Sequence, residues 1–117
     1  MNKKKIVFFI GQVGFGGTEK QMALFLKNVS KKNFEFHIVV FNSSLFGDLK
    51  NDILQSKAFL YFIPGKVNTI FKKLRYLYFF IKKIKPNIIH SWSVHDNSYA
   101  GILGIIFNIQ TIGSVRG

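Results

Sequence analysis

The 117-residue sequence contains no cysteine, which excludes a disulfide framework and a thiolate metal site and is compatible with a reducing compartment such as the cytoplasm. It also has no apolar run long enough to cross a bilayer. The longest candidate, residues 99–113, is interrupted by Asn108 and Gln110 and falls short of the ~20 residues that a membrane span needs. Residues 1–5 imitate the start of a signal peptide, but the apolar run that follows stops at Gly11. We therefore expect a cytoplasmic chain without a transmembrane helix.

Acidic residues are scarce, since 5 Asp and Glu stand against 17 Lys and Arg, which gives a net charge of +12. A charge of this sign attracts anionic partners, such as nucleic acid, phosphorylated ligands or an anionic membrane surface. Lys, Asn, Ile and Phe are all abundant, as they are in proteins of AT-rich genomes. The charge by itself therefore leaves open whether it serves a function.

The first part of the chain has the layout of an anion-binding site. An apolar strand is predicted at residues 6–10, a glycine-rich loop at residues 11–17, and a helix that opens at Thr18. Glycines allow the backbone to approach a ligand closely, and the first turn of a helix offers unpaired N–H groups. Thr18 and Gln21 have the spacing of a capping box. Apolar residues then recur at helical spacing and predict one buried helix face: Met22, Phe25, Leu26 and Val29.

The glycine loop matches neither of two common nucleotide-binding motifs. A P-loop would have lysine after its last glycine, whereas Gly16 is followed by Gly17 and Thr18. A dinucleotide fingerprint would have glycine or alanine where Glu19 stands. The sequence thus disfavours an NTPase and a nucleotide-dependent oxidoreductase. A tight turn that binds nothing stays open as the alternative to an anion site.

The rest of the chain alternates strands and helices. Strands are predicted at residues 34–41, 58–63, 87–92 and 110–114, and helices at residues 48–55, 68–85 and from 96 or 97 to 107. The second strand is almost wholly apolar at its end, which is typical of a parallel sheet covered on both faces. Right-handed crossovers then favour one α/β domain over residues 1–117, with a doubly wound, Rossmann-like parallel sheet in the order 3-2-1-4-5. In that order the glycine loop and His95 face one crevice.

The helix predicted at residues 68–85 is both apolar and basic. Its apolar stripe consists of Ile70, Leu74, Leu77, Ile81 and Ile84, and it is widened by Phe71, Tyr78 and Phe79. Its basic residues include Lys72, Lys73, Arg75, Lys82 and Lys83. Two interpretations stay open. The helix lies against an anionic membrane surface, or it is a core helix with a solvated cationic face.

Three histidines are candidates for chemistry. His37 and His90 lie inside apolar strands and are expected to be core residues with satisfied nitrogens, whereas His95 lies in a loop and could bind a ligand. A zinc site from His90, His95 and Asp96 would lack a fourth ligand, so no metal is expected. No nucleophile-elbow motif supports a hydrolase.

Two segments of the sequence resemble the GT-B fold glycosyltransferases, in particular the retaining, nucleotide-sugar-dependent family 4. Residues 16–21, GGTEKQ, resemble that family's Gly-Gly-Ala-Glu-Arg loop and helix start. Residues 86–97, PNIIHSWSVHDN, are similar to its Pro-Asp-apolar-apolar-His-x-His segment and the His-x-Asn after it. Residues 114–117, SVRG, match an ending found there at the fifth strand. Trp92 departs from the family by standing where many members have the second histidine.

The resemblance implies the amino-terminal, acceptor-side half of a GT-B architecture. The donor-binding domain is expected to be absent from this chain, because the only glutamates, Glu19 and Glu35, cannot form that domain's Glu-x7-Glu pattern. The isolated chain is therefore expected to be inactive. The implied partners are a nucleotide-sugar donor and a glycan or lipid-linked acceptor of bacterial surface polysaccharide synthesis, with no cofactor and no nucleic acid. The alternative is a non-catalytic Rossmann-like module that recruits a partner or an anionic membrane.

The resemblance also implies roles for individual residues. His95 would be catalytic, by hydrogen bonding to a sugar hydroxyl or a phosphate oxygen. Substrate would be bound by Gly16, Gly17, Thr18, Asn97 and Arg116. The five basic residues of the 68–85 helix would face the membrane if the chain is peripheral on its inner surface.

Overall fold

The computed structural model describes residues 4–11, 17–28, 33–41, 58–92 and 97–113. Strands and helices alternate within these ranges, as the sequence predicts. The strands are β1 (Lys4–Ile10), β2 (Phe34–Val40), β3 (Phe59–Phe62), β4 (Ile88–Ser91) and β5 (Gln110–Ile112). The helices are α1 (Gly17–Asn28), α2 (Ile70–Ile84) and α3 (Asn97–Phe107). The helix predicted at residues 48–55 lies outside the described residues.

The five strands form one sheet with the order β3-β2-β1-β4-β5, and every pairing in it is parallel. This confirms the predicted doubly wound α/β fold. β1 is the central strand, and its Phe8 is in register with Ile38 on one side and with His90 on the other. The chain therefore builds outward from β1 to β3, returns through α2, and continues with β4 on the opposite side of β1.

Helices cover both faces of the sheet, as the apolar strands require. Alternate residues of β1 point to opposite faces, so Phe8 and Ile10 pack under α1 while Val7 and Phe9 pack under α2 and α3. The α1 side of the core contains Phe8, Ile10, Met22, Leu26, Phe36, Ile38, Val40 and Ala58. The other side contains Val7, Phe9, Val39, Ile63, Leu77, Ile81, Ile89, Ala100 and Leu103.

Lys5 joins β1 to the segment between α2 and β4. Its backbone N–H donates to Asn87 Oδ1 at 2.9 Å, and the Asn87 N–H donates back to the Lys5 carbonyl oxygen at 2.8 Å. The Lys5 Nζ also donates to the Ile84 carbonyl oxygen at 3.2 Å, which satisfies one of the free carbonyls at the end of α2. One residue of the central strand thus positions both the end of a helix and the start of the next strand.

The ends of α2 are set by local chemistry. Thr69 is the N-cap, with its side-chain oxygen accepting from the Lys72 N–H at 3.2 Å. At the other end Lys85 adopts a left-handed conformation with φ of 56°, just before Pro86 stops the helix. No helix in the described part of the chain is long and apolar enough to cross a membrane.

The predicted apolar faces of the helices are buried only in part. In α2, Ile70 of the apolar stripe is 66% exposed, and Phe71, which widens that stripe, is 84% exposed. Both residues lie in the first turn of α2, whereas the buried residues of this helix, Leu77 and Ile81, lie in its second half. On α1, Phe25 is 42% exposed, although its ring still packs beside Phe8 and Phe36.

Candidate functional site

The candidate site lies at the carboxyl ends of β1 and β4, where the direction of chain progression reverses. Phe9 of β1 is paired with Ser91 of β4, and the Trp92 N–H donates to the Phe9 carbonyl oxygen at 2.8 Å. The chain therefore leaves the sheet at adjacent positions, through Gly11 on one strand and Trp92 on the next. Ligands of doubly wound folds bind at such a switch point.

Two helices begin at this same edge of the sheet. α1 starts at Gly17 after β1, and α3 starts at Asn97 after β4. The first turn of each helix presents unpaired N–H groups and a partial positive charge. No acidic residue occupies the first turn of α3. The edge therefore offers backbone donors suited to phosphate or another anion.

Only some of the predicted site residues fall in the described part of the chain. Gly17 and Thr18 lie in the first turn of α1, so the helix begins one residue earlier than the predicted start at Thr18. Asn97 begins α3 beside the end of β5, where a Cβ built on Gly113 would lie 3.3 Å from its Oδ1. Three site residues lie outside the described residues, so their placement stays a prediction: Gly16, His95 and Arg116.

Beneath the crevice, aromatic rings fill the space between the sheet and α1. The Phe8 ring meets those of His90 and Trp92 edge-on, with centroids 5.3 Å apart in both cases. Phe25 of α1 closes the cluster, 6.1 Å from Trp92. The indole Nε1 of Trp92 is buried and has no hydrogen-bond partner in the described ranges. A buried donor without a partner is uncommon and calls for an explanation.

His90 differs from the core histidine that the strand pattern predicts. Its side chain is half-buried, and it stacks on Trp92 with centroids 4.8 Å apart. Burial lowers the pKa of His90 below its ordinary value of 6.5, because the charged ring would lose hydration. The ring is therefore neutral at pH 7.

His37 is confirmed as a buried residue with satisfied nitrogens, at 4% exposure. Its Nε2 lies 2.8 Å from Glu35 Oε2, and its Nδ1 lies 2.9 Å from the Tyr61 hydroxyl. A neutral ring with its proton on Nε2 donates to Glu35 and accepts from Tyr61, so both nitrogens are paired. Burial and then the Glu35 charge raise the pKa of Tyr61, which keeps its hydroxyl a donor. This network ties the outer strand β3 to β2.

The sequence did not single out Glu35 and Tyr61. The spacing of Glu35 and His37 places both on one face of β2, which is the only signal that could have linked them. In the described residues, no three histidine or acidic side chains lie close enough together to hold a metal ion.

The basic residues of α2 lie on the helix that follows β3, an edge strand of the sheet. Lys72, Arg75, Lys82 and Lys83 are exposed, and Lys73 is half-buried. Arg75 lies over the Phe79 ring, and Lys82 over the Tyr78 ring, at 5.8 and 6.0 Å from the ring centroids. Both contacts are at the distance of a weak cation–π interaction.

Comparison with known proteins identifies a structural relative but no sequence family. No protein-family model matches the sequence, and no curated protein matches it. The structure is similar to the crystal structure of a glycosyltransferase from Rickettsia africae ESF-5, with a TM-score of 0.67 and 15% sequence identity. The match covers 97% of this chain but 30% of that chain, so this chain spans about 30% of its relative's length. The chain has a Rossmann-like, glycosyltransferase-like fold.

Proposed function

We propose that the chain is the acceptor-side domain of a retaining, family 4 type GT-B glycosyltransferase. The enzyme would move a sugar from a nucleotide-sugar donor to a glycan or lipid-linked acceptor in bacterial surface polysaccharide synthesis. The observation that carries the proposal is the adjacency of β1 and β4. Because of it, the two segments that resemble this family follow neighbouring strand ends at one switch point. The fold itself is similar to that of a glycosyltransferase.

The proposed chemistry follows from the groups at this edge. Backbone N–H groups of Gly16, Gly17 and Thr18 meet the diphosphate charge that grows as the glycosidic bond breaks. His95 hydrogen-bonds a sugar hydroxyl or a phosphate oxygen, and Asn97 and Arg116 bind substrate. The Trp92 Nε1–H has no hydrogen-bond acceptor among the described residues, and a ligand oxygen in the crevice would supply one.

The experiment uses the complete two-domain enzyme, because the 117-residue chain alone is expected to transfer no sugar. His95→Ala should abolish most transfer while leaving the melting temperature nearly unchanged, since it removes a loop side chain and little core. Gly17→Val should also reduce transfer, because a branched side chain blocks close backbone approach. Ser98→Ala, at an exposed position in the first turn of α3, is the control and should retain activity.

Three results would contradict parts of the proposal. Normal transfer by His95→Ala would remove His95 from the site. Loss of transfer only in step with unfolding would make His95 structural. Transfer by the purified 117-residue chain above a blank would overturn the need for a second domain.

A second candidate function is a binding module that recruits the chain to an anionic membrane surface, on its cytoplasmic face. The observation that favours it is α2, which exposes basic residues together with Phe71 and Phe79. Each cation near such a surface contributes roughly 1 kcal/mol. Co-sedimentation with phosphatidylglycerol vesicles should fall when Lys72, Lys73 and Arg75 are changed to Gln. Unchanged binding would mean that the basic face of α2 is simply solvated and does not bind membranes.

A further inference from the structure

A groove of 610 Å³ runs along one side of α2. Its walls are Lys66, Val67, Lys72, Arg75, Tyr76, Phe79, Phe80 and Lys83. The helical members recur at intervals of three and four residues, so they form a continuous face that is distinct from the buried face of Leu77 and Ile81. The volume is within the usual range for a small-molecule site, roughly 300 to 1,000 Å³.

The floor of the groove is packed against the sheet. Phe80 is half-buried and meets the Tyr61 ring of β3 at 4.8 Å, nearly perpendicular to it. Since Tyr61 is itself held by His37, the floor is anchored to the network between β2 and β3. Phe79, by contrast, is 53% exposed and forms an apolar rim. The groove is therefore a supported surface with an uncovered aromatic ring.

The charges around the groove are of one sign. Four of its residues are cationic, Lys66, Lys72, Arg75 and Lys83, and the described residues that line it include no carboxylate. Such a cluster favours an anion, and guanidinium groups pair well with phosphate. A small free anion would leave the Phe79 ring in water, whereas an anion attached to a hydrocarbon chain would cover it.

We propose that this groove binds one anionic amphiphile, such as a phospholipid, with its phosphate among Lys72, Arg75 and Lys83 and its apolar chain against Phe79 and Phe80. The inference rests on the proposed attraction of α2 to anionic membranes, but it adds a site with a defined stoichiometry. Diffuse attraction would use every basic residue of the helix, whereas the groove uses only those that line it. Lys73 and Lys82 do not line it.

The test is a titration of the 117-residue chain with dihexanoyl phosphatidylglycerol, kept below its critical micelle concentration. Binding should saturate at one lipid per chain, with amide chemical-shift changes confined to α2 and to residues 66 and 67. Inorganic phosphate and dihexanoyl phosphatidylcholine should each bind far more weakly, because each lacks one half of the recognised chemistry.

Neighbouring residues of α2 supply matched controls. Lys83→Gln should weaken the binding of the monomeric lipid about fivefold, whereas Lys82→Gln, which removes the same charge from an exposed position outside the groove, should not. Phe79→Ala should weaken it as well. Phe71→Ala removes an exposed ring of the same helix that does not line the groove, and it should have no effect.

Three outcomes would contradict a lipid site in this groove. The first is that binding of the monomeric lipid does not saturate. The second is that Lys82→Gln and Lys83→Gln weaken lipid binding equally, and the third is that inorganic phosphate binds as tightly as the lipid. If vesicles still bind while the monomeric lipid does not, the attraction of α2 to the surface stands without the groove. These experiments do not measure sugar transfer, so their results do not bear on the switch-point site.

Discussion

The imidazole of His90 stacks on the indole of Trp92, with ring centroids 4.8 Å apart and planes inclined by 21°. The two residues are two positions apart in the sequence, so their side chains lie on the same face of the sheet, under α1. A charged imidazole in this position would lose water, and among the described residues no carboxylate compensates for that loss, which is why burial favours the neutral ring.

His90 should therefore make stability fall in weak acid. Its pKa is 6.5 in the unfolded chain and lower in the folded one, so the unfolded state binds protons first. The neutral ring contributes fully to the free energy of unfolding at a pH above the pKa of the unfolded chain. This contribution is lost as the pH falls from there through the pKa of the folded chain. Urea unfolding over this range should show a steeper loss for the natural chain than for His90→Phe. Parallel curves would contradict the prediction. His37 is present in both proteins, so it does not contribute to the difference between the two curves.

Tyr61→Phe should destabilise the chain by about 1 to 2 kcal/mol, because it leaves the buried Nδ1 of His37 without its hydroxyl partner. The control is Tyr78→Phe, on a half-buried tyrosine whose hydroxyl makes no hydrogen bond to the described residues. It should change the free energy of unfolding by less than about 0.5 kcal/mol. Equal effects of the two substitutions in urea unfolding would show that the His37 network contributes little.

Two glycines of α3 form a matched pair. A Cβ on Gly104 would lie near the Thr111 Cγ2 and 3.0 Å from the Ile109 carbonyl oxygen, whereas a Cβ on Gly101 would meet nothing within 4 Å. Gly104→Ala should destabilise by about 1 to 3 kcal/mol through overpacking. Gly101→Ala should stabilise by about 0.5 to 1 kcal/mol, since alanine is the better helix former.

A second substitution identifies the cause of the Gly104 effect. Thr111→Ser removes the methyl group that the new Cβ would meet, so it should recover part of the stability lost by Gly104→Ala. Thermal unfolding of the four proteins, the two single variants, the double variant and the natural chain, gives this coupling directly. Strict additivity would mean that the strain lies elsewhere.

The order of the sheet could be predicted from the sequence because each step is local. Apolar runs mark strands, helical spacing and Pro86 mark the extent of α2, and right-handed crossovers leave few arrangements. The exposure of Ile70 and Phe71 could not be predicted in this way. It depends on how α2 lies against the sheet, which is a property of the assembled layers.

The candidate site also has one part that the sequence predicts and one part that it does not. Strand order alone predicts that the segments after β1 and β4 share an edge, and the structure has the two strands themselves paired side by side. The partnership of His37 with Tyr61 depends on the register between β2 and β3, which no local pattern contains. The roles of Gly16, His95 and Arg116 stay predictions, because these residues lie outside the described ranges.

The pair of hydrogen bonds between Lys5 and Asn87 joins residues that are 82 positions apart. On a ribosome, the amino-terminal strand is therefore made long before the segment that completes its second side. Until then β1 can pair only with β2, and its other edge stays available to any extended chain nearby. Emergence of the 87–91 segment is thus the event that closes the middle of the sheet, and translation speed across the preceding helix sets how long the nascent chain waits for it.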